Sequence, residues 1–472
     1  MSAELTQRLA RNTILQLIGK TAGTLLGVVT VAVLLRNLGT FGFGEFTTAI
    51  TFVTLFATLV DFGLTLTTVQ MISEPDADEH RVLSNMLSLR LISGLFFFSA
   101  SVLIGLFFPY SNAVKLAIGI GAIAYFFATF TQLLVGIFQK RLEMWRVVVA
   151  ELVNRVTFFG GVLLVAILHG GVIAFVGTVM IAAVLQCLVL VALTRPFVKL
   201  KWHLHTDMWG EIIKRSWPIG ATIFFNLIYL RGDIVFLSLM RTTEEVGAYG
   251  AAYKMVDVIT AIPAMFMGLV LPILVRTWKN NDKETFHKTM QNTFDVFAIV
   301  AVPIAVGAYA LAEPIMVFIG GAEFRAAGPI MKWLAPTSAI VFFGNLFAHA
   351  VIALNAQRRV VLGFATVAVV SIIGYLVFIP RFGVFGAVGV TLFSELTITI
   401  LVFVVTSAVS KRIPSLTVMA KALLSAVIMF LLLPAFGSMN LLVQIFLGSL
   451  VYLVALTALG GLHPKQLKRL II

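Results

Sequence analysis

The chain has 472 residues, of which 60% are hydrophobic and 12% are charged. A soluble domain is about 45–50% apolar and roughly 25% charged, so no water-facing core buries this much apolar surface, and lipid is the solvent for most of these side chains. The net charge of +13 does not mark a nucleic-acid binder, because the positive residues are scattered over short connections and not gathered on one domain.

A membrane helix needs roughly 20 largely apolar residues. The first candidate, 13–35, follows the polar, basic stretch Met1–Asn12 and is too long for a signal-peptide core, so it reads as an uncleaved first helix. Further candidates run near 44–71, 85–109, 113–138, 147–168, 172–194 and 216–240. The second seven run near 250–275, 293–318, 328–355, 360–379, 384–409, 416–437 and 440–461. The sequence therefore predicts an all-α integral membrane protein with about fourteen crossings. The longest connection, 195–215, is basic and holds Trp202 and Trp209, with Trp217 just beyond it. It reads as an interfacial amphipathic linker between two halves. Cys187, the one cysteine, leaves no intrachain disulfide and no cysteine metal site, and reads as a small packing residue.

With the N-terminus in the cytoplasm, the inner segments carry most of the Lys and Arg, among them Arg8, Arg11, Lys140, Arg141, Arg146, Arg195, Lys279, Lys283, Arg358, Arg359, Lys411 and Arg412. The outer segments carry Arg36, Lys115, Arg241, Arg325, Lys332 and Arg381. The positive-inside rule then places both termini in the cytoplasm. A weak internal repeat is visible. Phe43-Gly44-Glu45-Phe46 resembles Val246-Gly247-Ala248-Tyr249, and Gly171-Val172-Ile173 resembles Gly383-Val384-Phe385. Parallel duplication of this kind is a known transporter plan.

Ionisable residues at membrane depth are costly and face a protein interior or a watery cavity. The basic ones are Lys20, Arg90, Arg155, Arg231, Lys254 and Lys421, and the acidic ones include Asp61, Glu151, Asp233, Asp257, Asp295, Glu313 and Glu395. Glu151 and Arg155 are four apart on one helix face and read as a pair; Lys254 and Asp257 are three apart. Asp61 and Glu395 have no basic neighbour one turn away. Each is a proton or sodium site or an interhelical hydrogen-bonding group. Gly19, Gly23 and Gly27 form a small-residue stripe around Lys20 that permits close helix approach. Gly19-Lys20-Thr21 mimics the end of a phosphate-binding loop, but Ile14 stands where that loop needs glycine. Asp76-Ala77-Asp78 lies in a short solvated loop, and no catalytic constellation is present. Pro263, Pro272, Pro303, Pro314 and Pro336 predict more bent helices in the second half.

Several segments carry a family resemblance. They are Leu34-Leu35-Arg36-Asn37-Leu38-Gly39 with Phe43-Gly44, Asp61-Phe62-Gly63-Leu64, Tyr229-Leu230-Arg231-Gly232-Asp233, and Val246-Gly247-Ala248-Tyr249 leading to Ala251-Ala252-Tyr253-Lys254. Phe382-Gly383-Val384-Phe385-Gly386-Ala387-Val388-Gly389 and Glu395 complete the set. In this order the chain resembles the polysaccharide and oligosaccharide flippases, in the superfamily that also holds multidrug extruders and lipid II flippases. The resemblance implies two pseudo-symmetric six-helix bundles, 1–194 and 216–409, in a V around a central cavity, with two extra C-terminal helices in 410–472. It implies alternating access driven by protons or sodium, and a substrate oligosaccharide on a polyprenyl diphosphate. On that reading Lys20, Arg90, Arg231 and Lys254 receive the diphosphate, and Asp61, Asp257 and Glu395 couple the cation. A monomer in the cytoplasmic membrane is expected, without cofactor or metal, in contact with lipids and with polymerase or glycosyltransferase partners. The alternatives are a multidrug extruder, which favours an acidic cavity, and a membrane-embedded glycosyltransferase, which needs a large catalytic loop.

Overall fold

The computed structural model describes residues 3–461 apart from 73, 75–77, 142 and 198–205; for some helical residues, Lys20 among them, it describes the backbone alone. Every regular element among the described residues is a helix. The chain divides into two compact units, 1–247 and 248–472.

The first unit holds α1 (Ala3–Asp61), α2 (Leu64–Ile72), α3 (Glu79–Phe107), α4 (Asn112–Arg141), α5 (Met144–Ile167), α6 (Val172–Thr194) and α7 (Thr206–Met240), and α8 (Thr243–Lys279) begins in it. α4 packs on α6, α3 and α1, and α1 also packs on α5 and α7. Because α7 is held by α1, α2 and α3, it belongs with the first unit, so the division falls later than the 195–215 linker. The end of that linker is the first turns of α7. Its start is clamped: Phe197 lies under both the Arg141 and Arg146 guanidinium groups, at 5.2 and 4.8 Å. Of the two acidic residues expected in a loop, Asp76 lies outside the described residues, and Asp78 caps α3 by accepting from the Arg81 amide at 3.0 Å.

The second unit holds the rest of α8, then α9 (Lys283–Ala310), α10 (Ala312–Gly320), α11 (Ala327–Ala353), α12 (Val361–Phe382), α13 (Val384–Ser410), α14 (Thr417–Leu432) and α15 (Leu441–Ala458). α11 packs against α13 and α9, and α12 against α13. The last pair docks on α9 through Val302, Ala422, Ala426, Met429, Tyr452 and Leu456, and Tyr452 Oη donates to the Ile299 carbonyl at 2.9 Å. Lys421 Nζ donates to the Gly460 carbonyl at 2.9 Å, a cation at the negative end of α15.

Twelve helices among the described residues are long and apolar enough to cross a membrane, and two limbs of α7, Ile219–Ile228 and Arg231–Met240, meet at 46° as a thirteenth candidate. One of the twelve, Gly23–Ile72, has 50 residues. Straight, it would span about 75 Å, more than twice a hydrocarbon core of about 30 Å. Gly39 breaks it, with φ 63° and ψ −174°, a conformation only glycine adopts at little cost. Fourteen crossings follow if this helix crosses twice and α7 once.

Four of the five prolines do not interrupt their helices. Pro263, Pro272, Pro303 and Pro336 lie inside continuous helices. Pro314 sits in the first turn of α10, where a missing N–H costs nothing. In the first unit the chain departs sharply at Gly39, at Phe62–Gly63 and in α7; in the second, the expected span 293–318 is interrupted at Leu311, between α9 and α10.

The repeated glycines meet within that unit. A Cβ on Gly44 would press into the Thr243 carbonyl, 2.9 Å from its carbon, and a Cβ on Gly247 would press into the Thr40 carbonyl, also 2.9 Å from its carbon. The contact is reciprocal: position 40 faces 247 as 243 faces 44, with the same offset that separates the two sequence motifs. Backbones this close leave room only for Cα–H···O contacts.

Candidate functional site

Asp61 and Arg90 meet at the break between α1 and α2. Phe62 and Gly63 have φ of 30° and 81°. A Cβ at Gly63 would sit 2.7 Å from the Ser216 carbonyl oxygen of α7, so only glycine allows the chain to turn here. The turn leaves Asp61 at the end of α1 facing Arg90 of α3, and the two form an ion pair. Arg90 is fully buried, while Asp61 keeps 19% of its side chain accessible. Thr65 completes the cluster: its hydroxyl donates to Asp61, its amide donates to Asp61 Oδ1 at 3.3 Å, and Arg90 Nη2 donates to its hydroxyl at 3.2 Å. Arg90 Nη1 donates to the Thr129 carbonyl of α4. Arg90 Nε is buried without a partner.

A buried guanidinium is tolerated only when paired and hydrogen-bonded. In this structure Arg90 is committed to Asp61, Thr65 and Thr129. Local sequence shows Asp61 as an isolated carboxylate because its cation lies 29 residues away, beyond any helical spacing. The accessible member of the pair is the carboxylate, which is the group a proton or a sodium ion can reach.

Arg231 begins the second limb of α7, just past the bend. It is partly accessible, and its charge acts on Tyr125, whose hydroxyl accepts from Thr54 Oγ1 at 2.9 Å. Asp233 is fully buried and accepts from the Ile234 amide at 2.7 Å. Arg155 does not reach along its own helix to Glu151. Its Nη1 donates to the Gly23 carbonyl at 2.6 Å, because the glycine stripe of α1 leaves that carbonyl open: Cβ atoms on Gly19 and Gly23 would collide with Val148 and Arg155 of α5. The stripe thus brings α1 and α5 together as expected. The Lys20 side chain lies outside what the structure describes.

In the second unit Lys254 and Asp257 form the expected pair on α8. The contact is long, 3.7 Å, and Lys254 keeps 44% of its side chain accessible against 27% for Asp257. Glu395 is buried at 7% exposure in the middle of α13. Asp295 accepts from Gln291 Nε2 at 2.8 Å, and Glu313 pairs with Arg325 at 3.1 Å.

Sequence reasoning passed over Thr65, Thr129, Tyr125 and Glu45. Glu45 is buried, with 6% exposure, and accepts from Ser111 Oγ at 2.5 Å; its sequence context shows only a turn motif. A threonine four residues after a carboxylate at a glycine break is the one local signal that marks the Asp61 cluster. Among the described residues no group of three or more His, Cys, Asp or Glu side chains is placed to hold a metal.

Comparison with known proteins agrees with this architecture. The chain is 24% identical over 342 residues to the succinoglycan biosynthesis transport protein ExoT of Rhizobium meliloti, a match covering 70% of this chain and 66% of that protein. It is 22% identical over 295 residues to the probable low-salt glycan biosynthesis flippase Agl15 of Haloferax volcanii, covering 59% of each. The chain thus spans just under two thirds of the first relative and about three fifths of the second. Its fold is similar to that of the lipid II flippase MurJ in an inward closed conformation, with a TM-score of 0.78 at 16% identity over 94% of this chain and 98% of that one. A multidrug resistance MATE family transporter in an inward-facing conformation gives 0.67 at 13% identity over 83% and 96%. Residues 9–278, more than half of the sequence, match the model of the polysaccharide biosynthesis protein family, and the chain belongs to that family.

Proposed function

We propose that the protein is a flippase that moves a polyprenyl-diphosphate-linked oligosaccharide from the inner to the outer leaflet of the cytoplasmic membrane for cell-surface polysaccharide assembly. The observation that carries this reading is the family match over residues 9–278 in a chain built almost wholly of membrane helices. The relatives named as a succinoglycan transport protein and a glycan flippase support it. A diphosphate is costly in hydrocarbon, and Arg231 and Lys254 are cations at membrane depth with accessible side chains. Arginine grips phosphate bidentately and lysine offers a point charge. Lys20 joins them in the proposal. Arg90, grouped with them from the sequence, serves Asp61 instead in this state.

Transport is by alternating access, with a proton or sodium gradient as the driving force. Asp61 is the leading coupling residue, because protonation or sodium binding there competes with the Arg90 ion pair. Asp257 and Glu395 are the corresponding candidates in the second unit. Both termini are cytoplasmic on this reading, by the distribution of basic residues. The multidrug-extruder alternative has support from fold likeness alone.

The test is flipping of a defined lipid-linked oligosaccharide in proteoliposomes. The native protein is expected to flip it; Arg231→Ala, Lys254→Ala and Lys20→Ala are each expected to abolish flipping with insertion unchanged. Full activity in all three variants sinks the site assignment. A native protein that never flips a lipid-linked glycan but exports cationic drugs sinks the function.

A further inference from the structure

At one end of the second unit, the last residues of α13 and the segment that follows enclose a cavity against the start of α9. Counted with its open mouth, it has a volume of about 320 Å³. Its lining combines an aromatic floor, Phe286 and Phe347, with His287, Ser407 and Arg412. The charges there are one-sided. Arg412 and Lys283 both act on His287, and Arg412 makes no ion pair among the described residues. No carboxylate lines the cavity: on α9, Glu284 is exposed in the first turn and Asp295 is engaged by Gln291 at 2.8 Å, with Gln291 further tied to the Ser415 carbonyl and amide at 3.0 and 2.6 Å.

A second observation points to a missing partner. Ser407 Oγ is buried and has no hydrogen-bond partner. The neighbouring hydroxyls are satisfied: Thr406 donates to the Phe347 carbonyl at 3.2 Å and Ser410 to the Arg412 carbonyl at 3.3 Å. A buried hydroxyl left unmade is disfavoured. It lines the same pocket as His287 and Arg412, two groups that donate to anions.

We propose that this cavity binds a phosphate group, held by the Arg412 guanidinium, His287 and the Ser407 hydroxyl, with the apolar floor receiving the carbon part of a phosphoester. Arginine suits a phosphate because its fork makes two charge-assisted bonds. The phosphate comes from an anionic lipid headgroup or from free phosphate; the chemistry of recognition is the same. The inference is independent of the transported substrate, because none of the residues proposed to carry transport lines the cavity.

The full-length protein in detergent is titrated with phosphatidylglycerol, with phosphatidylcholine and with inorganic phosphate, and retained ligand is counted by native mass spectrometry. Arg412→Gln is expected to weaken phosphate or phosphatidylglycerol binding about tenfold, the loss of one charged hydrogen-bond pair. Ser407→Ala is expected to weaken it by less, and Lys411→Gln, which does not line the cavity, to leave it unchanged. Phosphatidylglycerol bound in preference to inorganic phosphate assigns the site to a lipid, and equal binding assigns it to the free anion. Arg412 is exposed, so its substitution leaves the fold intact. No binding of any phosphate, or binding equally weakened by Lys411→Gln, overturns the proposal.

Discussion

The reciprocal contact of Gly44 and Gly247 makes a quantitative prediction. Gly44→Ala places a methyl 2.9 Å from the carbonyl carbon and the side-chain methyl of Thr243. Carbon atoms in contact prefer about 3.5–4.0 Å, so the two backbones must part by roughly 1 Å. Overpacking costs about 1–3 kcal/mol, at the upper end here because the obstacle is backbone and cannot rotate away. Losing the Cα–H···O contacts adds about 0.5–1 kcal/mol each, and the helix preference of alanine over glycine returns about 1 kcal/mol. The net loss is about 3 kcal/mol for Gly44→Ala, and by symmetry about the same for Gly247→Ala. The double variant should cost little more than either single one, because one separation of the backbones relieves both collisions. Gly119→Ala and Gly268→Ala, where a Cβ meets nothing within 4 Å, are the controls and should be neutral or slightly stabilising. The assay is reversible unfolding in mixed micelles. Single variants as stable as the controls, or a double variant whose loss is the sum of the two, would refute the reasoning.

Two further outcomes follow from single interactions. Arg90→Met leaves Asp61 buried beside an apolar chain and should cost about 3–5 kcal/mol, while Asp61→Asn/Arg90→Met should recover a large part of that loss, because no uncompensated charge remains; equal instability of the single and double variants by thermal unfolding counts against the pairing. Tyr452→Phe removes the hydroxyl that donates to the Ile299 carbonyl and should cost about 0.5–1.5 kcal/mol; tryptic cleavage after Lys421 should quicken if α14 and α15 depend on that bond, and unchanged cleavage argues that the apolar contacts alone hold them.

The helical class was legible because each crossing needs its own run of apolar residues, and that requirement is local. The ends of the runs were less legible: α3 begins at Glu79 behind its Asp78 cap, ahead of the expected start near 85, while α15 begins at Leu441 behind Asn440, where it is expected. The glycine stripe on α1 was readable because three small residues at one helical spacing leave one face open whatever packs there. The reciprocal glycines were visible as a repeated motif, although nothing in the motif says that its two copies touch.

Composition and periodicity therefore determined that this chain lives in lipid, that its elements are helices, and which ionisable residues fall within them. They could not pair those residues. A sequence offers only neighbours one turn away, which favoured Glu151 for Arg155 and left Asp61 alone. The tertiary structure gave Arg155 to the Gly23 carbonyl and Arg90 to Asp61, because a buried cation takes the nearest acceptor in space, and in a packed bundle that acceptor sits on another helix. It also decided where the chain bends. The breaks in the first unit follow Gly39, whose φ of 63° and ψ of −174° suit glycine alone, and Gly63, where the Ser216 and Gly220 backbone leaves no room for a side chain, while four prolines stay within continuous helices.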